Sequence, residues 1–137
     1  MDMAVWNIRG IGNDKKKSMI KGLIKEERLD LIGLVETKHS TINDWDMKQC
    51  WGHSRSEYMH VSTIQGSGGL LISWHQEAFK MCNAFAKERW ICVEGEVINS
   101  GLKCAICLVY GPNEQQDRKL VWNQRRRIKF LIATPLI

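Results

Sequence analysis

The residues best equipped for chemistry stand at the ends of apolar runs. Asn7 lies near the end of Met3 to Ile8, and Glu36 directly follows Leu29 to Val35. Tyr110 ends Leu102 to Tyr110, with Asn113 three residues on. An amide, a carboxylate and a phenol offer donors and acceptors for binding and for activating groups. Each alone also has an ordinary structural reading. An asparagine at a strand end is a turn residue, a lone glutamate there is an exposed charge, and a tyrosine packs in a core or along an edge. Cations accompany them: Arg9, Lys38, the run Lys15-Lys16-Lys17 and the run Arg125-Arg126-Arg127. The lysine run reads as a solvated helix start, although three cations there oppose the helix dipole. The arginine run reads as a solvated face, with phosphate contact as its alternative.

For such residues to meet, strand ends must converge. Met3 to Ile8 reads as a short strand, with Met3, Val5 and Asn7 on one face and Ala4, Trp6 and Ile8 on the other. Gly10 and Gly12 break it, and Asn13 or Asp14 caps a helix that starts with Lys15. Met19, Ile20, Leu23 and Ile24 give that helix one apolar face. Leu29 to Val35 is apolar enough for a strand buried on both faces. Strand, helix and strand in this order predict a parallel unit with a right-handed crossover. A short helix over 41–50 with Thr41 as cap follows, then a weakly alternating strand over 57–64. Gly66-Ser67-Gly68-Gly69 is a turn to which no chemistry is assigned. Leu70 to Trp74, Trp90 to Ile98 and Leu102 to Tyr110 read as strands, the last two joined by a hairpin turn at Asn99-Ser100-Gly101. Residues 115–131 read as a helix with Leu120, Trp122, Ile128 and Leu131 as its apolar set. The pattern predicts an α/β chain with a mixed sheet, with no repeat and no linker.

Composition sets the outer bounds. The chain has 137 residues, 44% hydrophobic and 26% charged, which suits one globular domain and excludes wholesale disorder. Twenty Lys and Arg against 15 Asp and Glu leave +5, a weak preference for a polyanionic partner. No apolar run reaches the ~18 residues of a membrane span. An acidic start with no apolar signal core predicts no secretion signal. The five cysteines are odd in number and scattered, which predicts reduced thiols and an intracellular setting, nuclear or cytoplasmic. Cys104 and Cys107 have Cys-x-x-Cys spacing, but on a strand they point to opposite faces and read as core cysteines. The six tryptophans are mostly apolar packing, with a base-stacking platform as the alternative for any left exposed.

Four segments in order carry a family likeness: Trp6-Asn7-Ile8-Arg9-Gly10, Val35-Glu36-Thr37-Lys38, Gly68-Gly69 before an apolar strand, and Val109-Tyr110-Gly111-Pro112-Asn113. Together they resemble the endonuclease/exonuclease/phosphatase superfamily. The finer texture of Trp6 to Asn13, Glu36-Thr37-Lys38 and Gly68 to Trp74 is similar to the apurinic-endonuclease-like domain of plant LINE-type (non-LTR) retrotransposon polyproteins. The likeness covers residues 1–122 as the N-terminal portion of the domain and leaves 123–137 as a divergent basic and apolar tail. It implies a Mg²⁺-dependent endonuclease, with Mn²⁺ as an alternative, acting on DNA by phosphodiester hydrolysis. On that reading Glu36 holds the metal at the end of a buried strand. Asn7 supports the metal and the site, and Tyr110 reaches the scissile phosphate as the second catalytic residue. Arg9, Lys38 and Asn113 are the candidates for nucleic-acid contact.

The departures are as informative. The family's Gly-Asp-Phe-Asn and terminal Ser-Asp-His segments do not occur among these residues, and none of His39, His53, His60 and His75 follows Ser-Asp. The resemblance therefore implies a partial fold: mixed β-sheets flanked by helices, with the second half missing. It also implies a chain that is inactive or nearly so alone, since groups that act as a unit fail together. Partners on this reading are DNA and the missing half or a reverse-transcriptase region of a parent polyprotein, with no membrane. Two other readings stand beside it: a non-catalytic nucleic-acid- or protein-binding remnant, and a phosphatase-type member of the superfamily. An incomplete second sheet is expected to leave an apolar face and strand edges uncovered.

Overall fold

A computed structural model describes residues 1–12, 14–38, 44–52, 55–61, 69–87, 90–109 and 130–133. The first strand, β1 (Met3–Asn7), leads into α1 (Asp14–Glu26) and returns through β2 (Leu31–Val35), which pairs parallel with β1. The helix forms because Ile20 and Ile24 bury on one face while its lysines stay outside. It ends where Arg28 turns left-handed at φ 51°, and the Leu29 amide donates back to the Ile24 carbonyl at 2.9 Å. This closure uses Leu29 to finish the helix. The expected strand Leu29 to Val35 therefore begins at Leu31. Every residue of β2 is buried, as the unbroken apolar run required.

The short α2 (Asp44–Trp51) follows, then β3 (Ser56–Val61) and β4 (Leu70–His75). These complete a four-stranded sheet ordered β1-β2-β4-β3, with β4 antiparallel to both neighbours. Trp51 fixes α2 to this sheet by donating from Nε1 to the Ser73 hydroxyl at 2.8 Å, and that hydroxyl donates on to the Glu57 carbonyl. The second sheet is ordered β5-β6-β7-β8, all antiparallel: β5 (Phe79–Lys87), β6 (Trp90–Val97), β7 (Leu102–Val109) and β8 (Phe130–Ala133). Gly101, at φ 71°, closes the β6–β7 hairpin as its turn sequence predicted.

Two cores hold the layers together. One lies between the sheets and joins Leu31, Val35, Ile72 and Trp74 to Phe79, Ile91, Val93, Ile106 and Leu108. The other lies between the first sheet and the helices and joins Ile8, Ile20, Ile32, Leu34, Met47 and Leu71. Met3 and Val5 pack on the first core and Ala4 and Trp6 on the second, the two faces that alternation had assigned. The architecture is thus mixed sheets with flanking helices.

Three expectations change. No strand was read over 76–89, yet β5 runs there. A bulge between Met81 and Asn83 shifts its parity, so that Phe79, Met81 and Ala84 all reach the core and simple alternation is lost. Residues 110–129 lie outside the described residues and with them most of the helix read over 115–131. Its last two positions instead open β8, where the apolar run Phe130–Ala133 pairs with the available edge of β7. Finally, the cysteines are not all thiols. Cys92 and Cys107 sit directly opposite each other on β6 and β7, Cα atoms 4.0 Å apart, and form a disulfide. The hairpin closed at Asn99-Ser100-Gly101 sets the antiparallel registry that brings these two together. Among the described residues no helix is long and apolar enough to cross a membrane.

Candidate functional site

The parallel pairing of β1 with β2 decides where the polar residues meet. Asn7 is in register with Val35, so Asn7 and Glu36 stand at the same end of adjacent strands. The segments beyond them stay laced together. Ile8 donates to the Val35 carbonyl at 3.1 Å, Gly10 to Glu36 at 2.8 Å and Ile11 to Thr37 at 3.0 Å. Gly10 adopts φ 106°, which only glycine takes at little cost, and this lets the loop run beside the second strand. Lys16 then reaches back from α1 and donates from Nζ to the Ile8 carbonyl at 2.7 Å. The lysine run is therefore not simply a solvated helix start: its middle member ties the helix to this loop.

Backbone strain concentrates at the predicted positions. Four non-glycine residues among those described have positive φ: Arg9 at 53°, Arg28 at 51°, Glu36 at 58° and Lys38 at 55°. Arg28 closes a helix, but the other three are all residues singled out for the site. Such conformations cost on the order of 1–3 kcal/mol each and persist where surrounding structure imposes them. Here the hydrogen bonds of Gly10 and Ile11 to Glu36 and Thr37 do so.

The site side chains differ in exposure. Arg9 and Lys38 are exposed, while Glu36 and Thr37 are buried. Asn7 is half-buried, but its Oδ1 is fully buried and has no hydrogen-bond partner among the described residues. An orphaned acceptor of this kind costs about 1–3 kcal/mol, which a bound cation or donor would recover. A carbonyl oxygen and a carboxylate are hard donors that suit Mg²⁺ or Mn²⁺, and Mg²⁺ needs only one or two protein carboxylates beside its waters. Among the described residues no group of three or more His, Cys, Asp and Glu could form a closed cage. The donor set fits an open site completed by water and phosphate.

Tyr110 and Asn113 lie outside the described residues. Sequence reasoning missed a neighbour: Thr37 Oγ1 and His60 Nε2 are 3.3 Å apart, a hydrogen bond whose donor is set by the imidazole tautomer. The Thr37 amide donates to the Gly69 carbonyl at 3.2 Å, so Gly69 buttresses the strand end. Only the β2–β4–β3 pairing brings His60 here; no spacing in the chain signals it.

No family model matches the chain, and no curated protein matches it. Solved structures do. An AP endonuclease from Leishmania major, LMAP, superposes with a TM-score of 0.61 at 14% identity, over 87% of this chain and 43% of that one. TDP2 from C. elegans gives 0.56 at 15% identity, over 89% and 39%. The catalytic domain of Xenopus laevis APE2 gives 0.54 at 14% identity, over 93% and 50%. The chain thus spans half or less of the length of these structures. Most of the chain therefore takes the form of one part of the endonuclease/exonuclease/phosphatase fold.

Proposed function

We propose that this chain carries the metal-side portion of a divalent-metal-dependent DNA endonuclease site, of the type found in LINE retrotransposon polyproteins. The observation that supports it best is the buried, orphaned Asn7 Oδ1 at the end of β1, one strand from Glu36. The left-handed backbone at Arg9, Glu36 and Lys38 supports the same place. So does the company the fold keeps, since a structure of similar fold is named as an AP endonuclease. Asn7 and Glu36 would hold the ion. When bound, it supplies charge neutralisation for a phosphate and a lowered pKa for its water. Arg9 and Lys38, exposed on either side, hold the nucleic-acid backbone by charge. Tyr110 is assigned the scissile phosphate and Asn113 a neighbouring contact, both by resemblance.

Hydrolysis by these residues alone is weak on this reading, because the Gly-Asp-Phe-Asn and Ser-Asp-His segments do not occur in the sequence. Water activation and most transition-state stabilisation depend on such groups. The test is duplex binding across a salt series, together with plasmid nicking in Mg²⁺. The expected result is affinity that falls with salt, at a slope of about −0.9 per phosphate contacted. Nicking should be no faster than that of Glu36→Ala. Salt-independent binding would overturn the DNA assignment. Robust nicking that Glu36→Ala abolishes would overturn the weak-hydrolysis claim.

A further inference from the structure

Thr37 directly follows Glu36 and is fully buried. Its three polar groups each engage a different segment. The amide donates to the Gly69 carbonyl just before β4, and the carbonyl accepts from the Ile11 amide in the loop after β1. The hydroxyl meets Nε2 of the half-buried His60, on β3, at 3.3 Å. A buried hydroxyl is costly without a partner, and the imidazole supplies one.

Regular strands would not bring these two side chains together. Val35, Met59, Val61 and Leu70 pack on the core between the sheets. Leu34, Tyr58 and Leu71 pack on the helix side. His60 is in register with Leu71 and so shares the helix side. Unbroken alternation would carry Thr37 to the side of Val35, away from His60. Glu36 breaks the alternation with its left-handed backbone, at φ 58°. The turn at Glu36 brings the hydroxyl to the imidazole, and the hydrogen bond in return holds the turn.

This places a constraint on the carboxylate. Asn7 is still inside a regular strand, in register with Val35, whereas Glu36 lies beyond the end of β2. Glu36 is therefore the half of the corner that the β1–β2 ladder does not fix. We propose that His60, acting through the Thr37 hydroxyl, is a positioning residue for Glu36 as a ligand of the divalent ion. The proposal rests on the metal-side reading of Asn7 and Glu36. A group that orients a ligand governs metal affinity without itself binding the metal.

The test is Mn²⁺ binding to the full chain, read by electron paramagnetic resonance. The variants are His60→Ala, Thr37→Val, the two combined, and His60→Gln, each checked for folding by circular dichroism. Thr37→Val keeps the branched shape and loses the hydroxyl. His60→Gln keeps a group that both donates and accepts. Gly95→Ala, on the second sheet, controls for lost stability alone. His60→Ala and Thr37→Val should each weaken binding about tenfold or more, the usual cost of losing such a support. The combined variant should be no weaker than either, because the two residues act as one unit. His60→Gln should restore most of the affinity, and Gly95→Ala should bind as the wild type does. Should His60→Ala fold poorly, Thr37→Val and His60→Gln decide between them. Mn²⁺ binding that Thr37→Val and His60→Ala leave unchanged would overturn the proposal alone. So would losses that add in the combined variant, a His60→Gln protein as weak as His60→Ala, or an equal loss in Gly95→Ala. A wild type that binds no Mn²⁺ would overturn the metal-side reading itself and this proposal with it.

Discussion

At the residue scale, the site is a place where local stability is given up. Arg9 and Lys38 hold left-handed backbone with no glycine, and both side chains are exposed. Replacing either by glycine should relieve ~1–2 kcal/mol of steric cost against a smaller entropic loss. Arg9→Gly and Lys38→Gly should therefore raise the melting temperature by a few degrees while weakening duplex binding. A fall in melting temperature would show that the conformations are unstrained. The cysteines divide in the same way by surroundings. Cys82 is exposed, whereas burial pushes the Cys104 thiol above its ordinary pKa by disfavouring the thiolate. A thiol reagent at mildly alkaline pH should label Cys82 promptly and Cys104 only on unfolding. Equal labelling of the two in the native protein would contradict the packing described.

At the element scale, the predictions concern how strands and helices are held. Gly95 on β6 faces β5 so closely that an added Cβ would collide with the Lys80 carbonyl and stand 2.8 Å from Phe79 Cζ. Gly95→Ala should destabilise the chain by about 1–3 kcal/mol in a denaturant titration, the usual cost of overpacking. Lys16→Met, which keeps the stem but loses the donor to Ile8, should cost about 1.5–3 kcal/mol if the charged hydrogen bond counts in full. This is also the scale at which the sequence was most legible. The apolar runs placed β1, β2, β4, β6 and β7 within a residue or two, because each has one unbroken periodicity. β5 escaped notice because its bulge breaks that periodicity. The Thr37–His60 contact was invisible because it depends on the β2-β4-β3 strand order, which no local pattern encodes. Asn7 and Glu36 were legible as a pair through the family likeness and the parallel strand–helix–strand unit. The strain at Arg9, Glu36 and Lys38 was not, since nothing in those residue types calls for positive φ.

At the scale of the whole molecule, the chain is a helix layer and two sheets that match half or less of the solved structures of like fold. The second sheet shows apolar surface among its described residues: Phe85 is 45% exposed, Leu102 44% and Val109 36%. β1 and β2 are nonetheless packed against both cores, which is why the Asn7–Glu36 corner can be formed within this chain. The most direct test of that corner is a titration with Mn²⁺ followed by electron paramagnetic resonance. The comparison is between the wild type, Asn7→Ala and Glu36→Gln, each shown to be folded. The account predicts one bound ion in the wild type, affinity reduced by an order of magnitude or more in either variant, and competition by Mg²⁺. Equal binding by all three proteins, or no binding by the wild type, would contradict it.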